Sequence, residues 1–136
     1  VEIDFFDNGT NEAMSGDLTG SEALRDYSAA GMVPTYSFTA SSAAQFAYTV
    51  HSTSSTDTDQ SFLDNGSACD VGSGQNVGQC WMTPSTTAFR IVDRSTSANS
   101  GATSSIQFKV HVPSGATPIP SAETYTATAT LSLFTQ

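Results

Sequence analysis

Apolar and polar residues alternate along several stretches of this chain, and an alternation with a period of two residues is typical of half-buried β-strands. Residues 105–112 are the clearest interior example. There Ile106, Phe108, Val110 and Val112 are expected to point inward, and Gln107, Lys109 and His111 outward towards solvent. The other short segments with strand character are 1–5 (VEIDF), 35–40 (TYSFTA), 45–50 (QFAYTV), 80–82 (CWM) and 87–94 (TAFRIVDR).

The longest alternation is the segment 122–134, AETYTATATLSLF. We expect it to form one long closing strand, paired on one side with 105–112. Because that partner is shorter, part of the closing strand or its other edge would be available to a second strand. Its apolar positions are Tyr125, Ala127, Ala129, Leu131 and Leu133.

The turn residues between these segments favour hairpins and few helices. The connection 41–44 (SSAA) is short enough to join 35–40 and 45–50 as a hairpin. The only helix that the pattern suggests is 21–31, capped by Ser21 and ended by Gly31. Seven or eight strands with at most one short helix predict an all-β fold, an antiparallel immunoglobulin-like β-sandwich, as a single domain over 1–136.

Charge narrows the range of partners. Four basic residues stand against 13 acidic ones, giving a net charge of −9. A nucleic-acid partner is excluded, because binding to phosphates needs a basic surface. No apolar run approaches the length of a membrane span, so we expect no insertion into a membrane.

Two cysteines, Cys69 and Cys80, enclose a glycine-rich stretch. Zinc sites usually contain closely spaced cysteine pairs with further ligands, and this chain has only two distant histidines. We therefore predict a disulfide between Cys69 and Cys80. Such a bond indicates an oxidising compartment, so the protein is expected outside the cell or on its surface.

Catalytic chemistry has little support in the sequence. The chain has no G-x-S-x-G motif, and both His51 and His111 lie in segments predicted to be strands. The glycine-rich stretch 72–78 has no lysine and does not open a predicted helix, so we interpret it as a turn and not as a phosphate loop. We predict that the protein is not an enzyme.

Acidic loop residues offer one candidate ligand, a structural Ca²⁺ ion. Asp57, Asp59, Asp64 and Asp70 could gather oxygen ligands, but their spacing does not match an EF-hand loop. The alternative is that these are solvated acidic loops, and no other cofactor is predicted.

Glycans are a second candidate partner. Asn8 (NGT) and Asn65 (NGS) both lie in N-x-[ST] sequons within predicted turns. Trp81 could stack on a sugar together with Tyr36 or Tyr48, which would make the chain a carbohydrate- or surface-binding module. The alternative for Trp81 is a core position against the disulfide.

Residues 104–133 read SSIQFKVHVPSGATPIPSAETYTATATLSL. This stretch resembles the closing hairpin of secreted bacterial and archaeal surface and filament subunits of the pilin-like, donor-strand type. The resemblance implies an exported immunoglobulin-like module that assembles with other copies of itself into an extracellular filament or a surface array. It also implies that 1–6 is an exchanged donor strand, with Val1, Ile3 and Phe5 filling the groove of a neighbouring subunit. The alternative is that this strand pairs within its own chain.

Overall fold

The computed structural model describes residues 1–6, 13–17 and 24–134. Helical structure in these residues is limited to single 3₁₀ turns at Ala30–Met32, Ser55–Asp57 and Gln60–Phe62. The prediction of an all-β fold is therefore confirmed. The strands are β1 (Glu2–Phe5), β2 (Met14–Gly16), β3 (Leu24–Asp26), β4 (Ala44–Ser52), β5 (Phe89–Arg90), β6 (Ser104–His111), β7 (Tyr125–Ala127) and β8 (Ala129–Ser132).

The strands form two three-stranded sheets and one pair. One sheet has the order β5-β1-β8 and another the order β3-β4-β6, while β2 pairs with β7. All of these pairs are antiparallel, as predicted, except β3-β4, which is parallel. A parallel pair needs a long crossover, and the connection 27–43 supplies it.

The helix predicted at 21–31 is wrong in its described part. Leu24–Asp26 is a strand instead, and only Ala30–Met32 forms a single 3₁₀ turn. Leu24 is buried where this strand pairs with Ala44, so tertiary pairing outweighs the local helix propensity. Residues 21–23 lie outside the described part of the chain.

The hairpin predicted for 35–40 and 45–50 is also absent. In 35–40 only Thr35 makes a ladder contact, an isolated bridge to Trp81. Phe38 is instead buried against Trp81 and Ala47, so this segment packs across the face of the β3-β4-β6 sheet. In 80–82, Trp81 and Met82 likewise form isolated bridges and no continuous strand.

Strand β4 lies between two apolar clusters. Phe46, Tyr48 and Val50 face the main core, which also holds Ile3 and Phe5 of β1. On the opposite side of the strand, a smaller cluster contains Phe38, Ala40, Ala47 and Trp81. This double burial explains why residues 44–52 are almost uniformly apolar or small.

Lys109 and His111 on the polar face of β6 cover the smaller cluster, so the prediction that they face solvent is wrong, whereas Gln107 is exposed as predicted. The Lys109 Nζ donates to the carbonyl oxygen of Phe38 at 3.0 Å and lies 5.2 Å from the ring centres of Phe38 and Trp81. The His111 Nδ1 accepts from the Ala40 amide at 3.0 Å. A lysine can occupy this position because its stem lies on aromatic surface while its ammonium group is hydrogen-bonded.

The closing segment is two strands, with partners that differ from the predicted one. β8 pairs with β1, through Ile3 opposite Leu131, and β7 pairs with β2, through Ser15 opposite Thr126. The predicted pairing with 105–112 is wrong: β6 pairs with β4 alone among the described strands, and its other edge is not joined to the closing segment. Between β7 and β8, the Thr128 carbonyl still accepts from the Phe6 amide at 2.9 Å.

Candidate functional site

Two strand edges on one flank of the molecule have no partner among residues 1–6, 13–17 and 24–134. β8 is the last strand of the β5-β1-β8 sheet, and β6 is the last strand of the β3-β4-β6 sheet. β7 extends the edge of β8, because its one pairing is with β2. We call the outer edge of β7 and β8 the closing edge.

The register of β8 shows which of its side chains face the other sheet. Leu131 lies opposite Ile3 and Ala129 lies opposite Phe5, and directly opposed residues point to the same face. Ile3 and Phe5 are core residues, so Leu131 also points inward. Nevertheless, Leu131 is 56% exposed and Leu133, two residues further along, is 79% exposed.

The inner face of β6 also carries apolar side chains that point inward but are exposed to solvent. Phe108 lies opposite Tyr48 and Val110 lies opposite Phe46, so both point towards the main core. The Phe108 ring lies 5.9 Å from that of Phe46 and 6.3 Å from that of Phe5, measured between centres. Phe108 is still 53% exposed, because no described strand covers its other side.

A groove runs between these two inner faces at one end of the flank. It has a volume of about 900 Å³ and is lined by Ile106 of β6, by Leu131 and Leu133 of the closing segment, and by Val1. The apolar side chains that would normally close a sandwich on this side are thus open to solvent. An added strand would cover them.

Backbone groups along the closing edge point outward at every second residue. The carbonyls of Thr128 and Thr124 accept from Phe6 and Asp17, so even-numbered residues bond to β1 and β2. In an antiparallel pair the adjacent residues direct their N–H and C=O groups to the other side. The outward-pointing hydrogen-bonding groups are therefore those of Tyr125, Ala127, Ala129 and Leu131.

The closing edge carries none of the usual protection against strand pairing. Exposed edges are commonly blocked by lysine, proline or an inward-pointing charge. Residues 124–134 contain no charged residue and no proline, although the chain as a whole carries a net charge of −9. The closing edge is therefore suited to pairing with another strand.

The predicted donor strand is the central strand of its sheet. β1 pairs with β5 on one side and with β8 on the other, and all three strands belong to the same chain. Ile3 and Phe5 are buried, Val1 is half-buried, and the Val1 ammonium group donates to the Val92 carbonyl at 2.9 Å. Exchange of this strand between subunits stays a prediction.

Cys69 and Cys80 form a disulfide, with their Cα atoms 5.6 Å apart. Both cysteines are buried in the main core. Trp81 follows Cys80 directly but belongs to the smaller cluster, and its Nε1 donates to the Gly78 carbonyl at 2.9 Å. The core interpretation of Trp81 holds, although its neighbours are Phe38 and Ala47 and not the disulfide.

The four acidic calcium candidates occupy separate environments. Asp57 pairs with Arg94 at 2.5 Å and Asp59 with Arg90 at 2.6 Å, while Asp70 is exposed. Burial raises the pKa of Asp59, but hydrogen bonds from Ser61 and the pairing with Arg90 outweigh it, so the pKa lies below the usual value. No cluster of three potential metal ligands occurs within the described ranges of the chain.

Asp64 anchors the disulfide loop. Its carboxylate accepts from the Gly66 amide at 2.8 Å, the Asn76 amide at 2.8 Å and the Asn76 Nδ2 at 2.6 Å. The residue is 1% exposed, and burial raises its pKa, but these hydrogen bonds outweigh the burial and hold the pKa below the usual value. Its backbone also exchanges two hydrogen bonds with Gly74.

Replacing Asp64 with asparagine is expected to lower the free energy of unfolding by about 1–3 kcal/mol at pH 7, because the ionised acceptor is lost. Asp64 has a lowered pKa in the folded state, so its contribution is present above its unfolded value of about 3.9 and is lost as the pH falls through the folded pKa. The difference between wild type and D64N should therefore shrink at acidic pH. Urea denaturation at pH 7 and in acid measures it, with the exposed Asp70→Asn as the control on the same loop. A difference that stays constant with pH would contradict this role.

The remaining predicted residues do not form a site together. His51 lies opposite Ser105 and His111 lies opposite Gln45, so the two histidines are at opposite ends of the β4-β6 ladder. Tyr48 and Trp81 are buried and Tyr36 is half-buried, so Tyr48 and Trp81 present no exposed platform for a sugar.

The sequon residue Asn65 lies in an exposed turn. Its side-chain oxygen accepts from the Ser67 amide at 3.1 Å and from the Ser67 hydroxyl at 3.0 Å. Asn8 lies outside the described residues. Glycosylation at these two positions stays a prediction.

Comparison with protein-family models, with curated proteins and with solved structures finds no match for this chain. Within the described residues, no helix has both the length and the apolar character needed to cross a membrane. The resemblance of 104–133 to filament subunits therefore stays a prediction. The feature that bears on function is the side of the molecule between the unpaired edges of β6 and β8, which we call the open flank.

Proposed function

We propose that this protein is a non-enzymatic structural subunit that assembles with its own copies, by β-strand addition, into an extracellular filament or a cell-surface array. The observation that carries the proposal is the open flank between β6 and β8. There, inward-pointing Phe108 and Leu131 are more than half exposed beside unpaired strand edges. Backbone hydrogen bonds from an incoming strand would supply adhesion, and its alternate side chains would fill the groove.

Compartment and composition agree with this proposal. The disulfide between Cys69 and Cys80 favours an oxidising environment. Charged residues make up only 12% of the chain, so the surface is solvated largely by Ser and Thr hydroxyls. The resemblance of 104–133 to the closing hairpins of surface and filament subunits supports the same function.

The direct test is the assembly state of the purified protein. Sedimentation across a range of concentrations, followed by electron microscopy of the most concentrated sample, should reveal oligomers that grow into fibres or sheets. A protein that stays monomeric at every concentration would contradict the proposal.

Exchange of residues 1–6 can be tested with a cross-strand disulfide. Asp4 and Thr130 are directly opposed in β1 and β8, and their Cα separation in such a pair, about 5.5 Å, suits a disulfide. If β1 is exchanged, assemblies of the double variant D4C/T130C should give a ladder of covalent oligomers on non-reducing gels. Each single-cysteine variant is the control and should give no ladder. A monomer band from intact assemblies would show that β1 stays in its own chain.

A further inference from the structure

We propose that the closing edge pairs with the closing edge of a second copy of this chain, antiparallel and across a two-fold axis. This inference rests on the proposed function, because both require strand addition, and it names the strand that is added. The β5-β1-β8 sheet would then continue into the same sheet of the second copy.

The backbone is suited to such a pair. The outward N–H and C=O groups belong to Tyr125, Ala127, Ala129 and Leu131, at a spacing of two residues. The same spacing is present on the second copy, so donors and acceptors can match along the edge. A contact across a two-fold axis uses the same patch on both subunits, and an edge that matches itself meets this condition.

The side chains are also self-complementary. In an antiparallel pair, the sequence numbers of any two directly opposed residues add up to the same total. When that total is even, apolar odd positions face apolar odd positions and threonines face threonines. An axis at Thr128, for example, would place Tyr125 opposite Leu131 of the second copy, and Thr126 opposite its Thr130. Thr–Thr and apolar cross-strand pairs both stabilise antiparallel sheets.

The charge distribution allows a second copy to meet the closing edge. Each chain carries a net charge of −9, so repulsion between two copies is smallest where the contact itself carries no charge. Residues 124–134 form a neutral strip, with no acidic or basic side chain. The charged residues that line the groove beside Leu131 and Leu133 are of mixed sign: Glu2, Arg90, Asp93 and Arg94.

The pairing also accounts for the exposed inner faces. With the axis at Thr128, Leu131 of each copy would lie next to Tyr125 of the other copy on the inner side of the extended sheet, the side that faces Phe108 and Val110 of β6. Side chains that are exposed to solvent in one chain would thus be covered in the pair. A two-fold contact alone closes a pair, so growth of a filament uses a second contact, for which exchange of 1–6 is the candidate.

The test compares two lysine variants on neighbouring residues of β8. Leu131→Lys places a charge on the inner face of the closing edge, which is a natural way to block strand pairing. Thr130→Lys adds the same charge to the outer face of the same strand. Sedimentation should show that L131K weakens self-association by about tenfold or more, while T130K changes it by about twofold or less.

Hydrogen exchange provides a second measurement that needs no variant. The amides of Ala129 and Leu131 point to the open edge and should gain protection when the wild type associates, whereas the Thr130 amide is already bonded to β1. Association that is equal in L131K and T130K and leaves the outward amides unprotected would overturn the inference and leave the proposed function standing. A wild type that never associates would overturn both.

Discussion

Replacing Phe5 with alanine is expected to lower the free energy of unfolding by about 3–5 kcal/mol, because it empties a well-packed position in the main core. Phe5 is 3% exposed, and its ring centre lies 5.3 Å from that of Tyr48 and 6.0 Å from that of Phe46. The matched control is the next residue along the chain. Phe6 is 66% exposed, so Phe6→Ala should change stability by less than about 0.5 kcal/mol.

Urea denaturation followed by the fluorescence of Trp81 measures both variants, because the chain has one tryptophan and it is buried in the smaller cluster. Equal effects of F5A and F6A would contradict the assignment of β1 to the core. The result also bears on assembly. If β1 fills the same position in a neighbouring subunit, F5A should weaken association as well as folding.

The strand pattern of the sequence predicted the elements with local alternation. β1, β4, β6 and the β7-β8 segment all lie in stretches where period-two alternation predicted strands. The helix predicted at 21–31 is wrong over its described residues, 24–31, because Leu24 is buried by pairing with β4, a contact distant from Leu24 in the sequence. The same limitation explains the wrong hairpin at 35–40. Phe38 is buried there because it packs on the face of a sheet, and not because the segment is paired as a strand.

The candidate site was predicted in part. The closing segment was expected to leave an edge available, and β7 and β8 do have partners on one side alone within the described ranges. Its expected partner was wrong, because alternation indicates which face of a strand is buried and not which strand lies beside it. The sequence therefore did not predict that β6 and β8 leave the same flank open, with Phe108 and Leu131 exposed between them.

The open flank and the disulfide loop are stabilised in different ways. On the open flank, apolar residues stand uncovered beside a neutral edge. At the disulfide loop, buried polar groups and a covalent bond hold the chain, with Asp64 bonded to Asn76 and Gly66. If the open flank is the assembly surface, variants of the loop should change the stability of the monomer and leave the contact between copies intact.

The largest effect at the loop is expected from removing the disulfide. Replacing both Cys69 and Cys80 with alanine should lower the free energy of unfolding by about 3 kcal/mol, because the unfolded chain gains the entropy of an open loop. The sequence separation of the two residues is 11, and both sulfur atoms belong to the main core. Urea denaturation of the double variant against wild type measures the effect.

The same measurement in a double-mutant cycle tests whether the loop folds as one unit. Asp64 and the disulfide hold the same segment, so the effect of D64N should be smaller by at least about 0.5 kcal/mol when the cysteines are absent. Additive effects would mean that the hydrogen bonds of Asp64 hold the loop independently of the disulfide. Self-association of the alanine variant, measured under conditions where it remains folded, should match that of the wild type. A loss of association would place the loop in the contact between copies and contradict its assignment to the monomer alone.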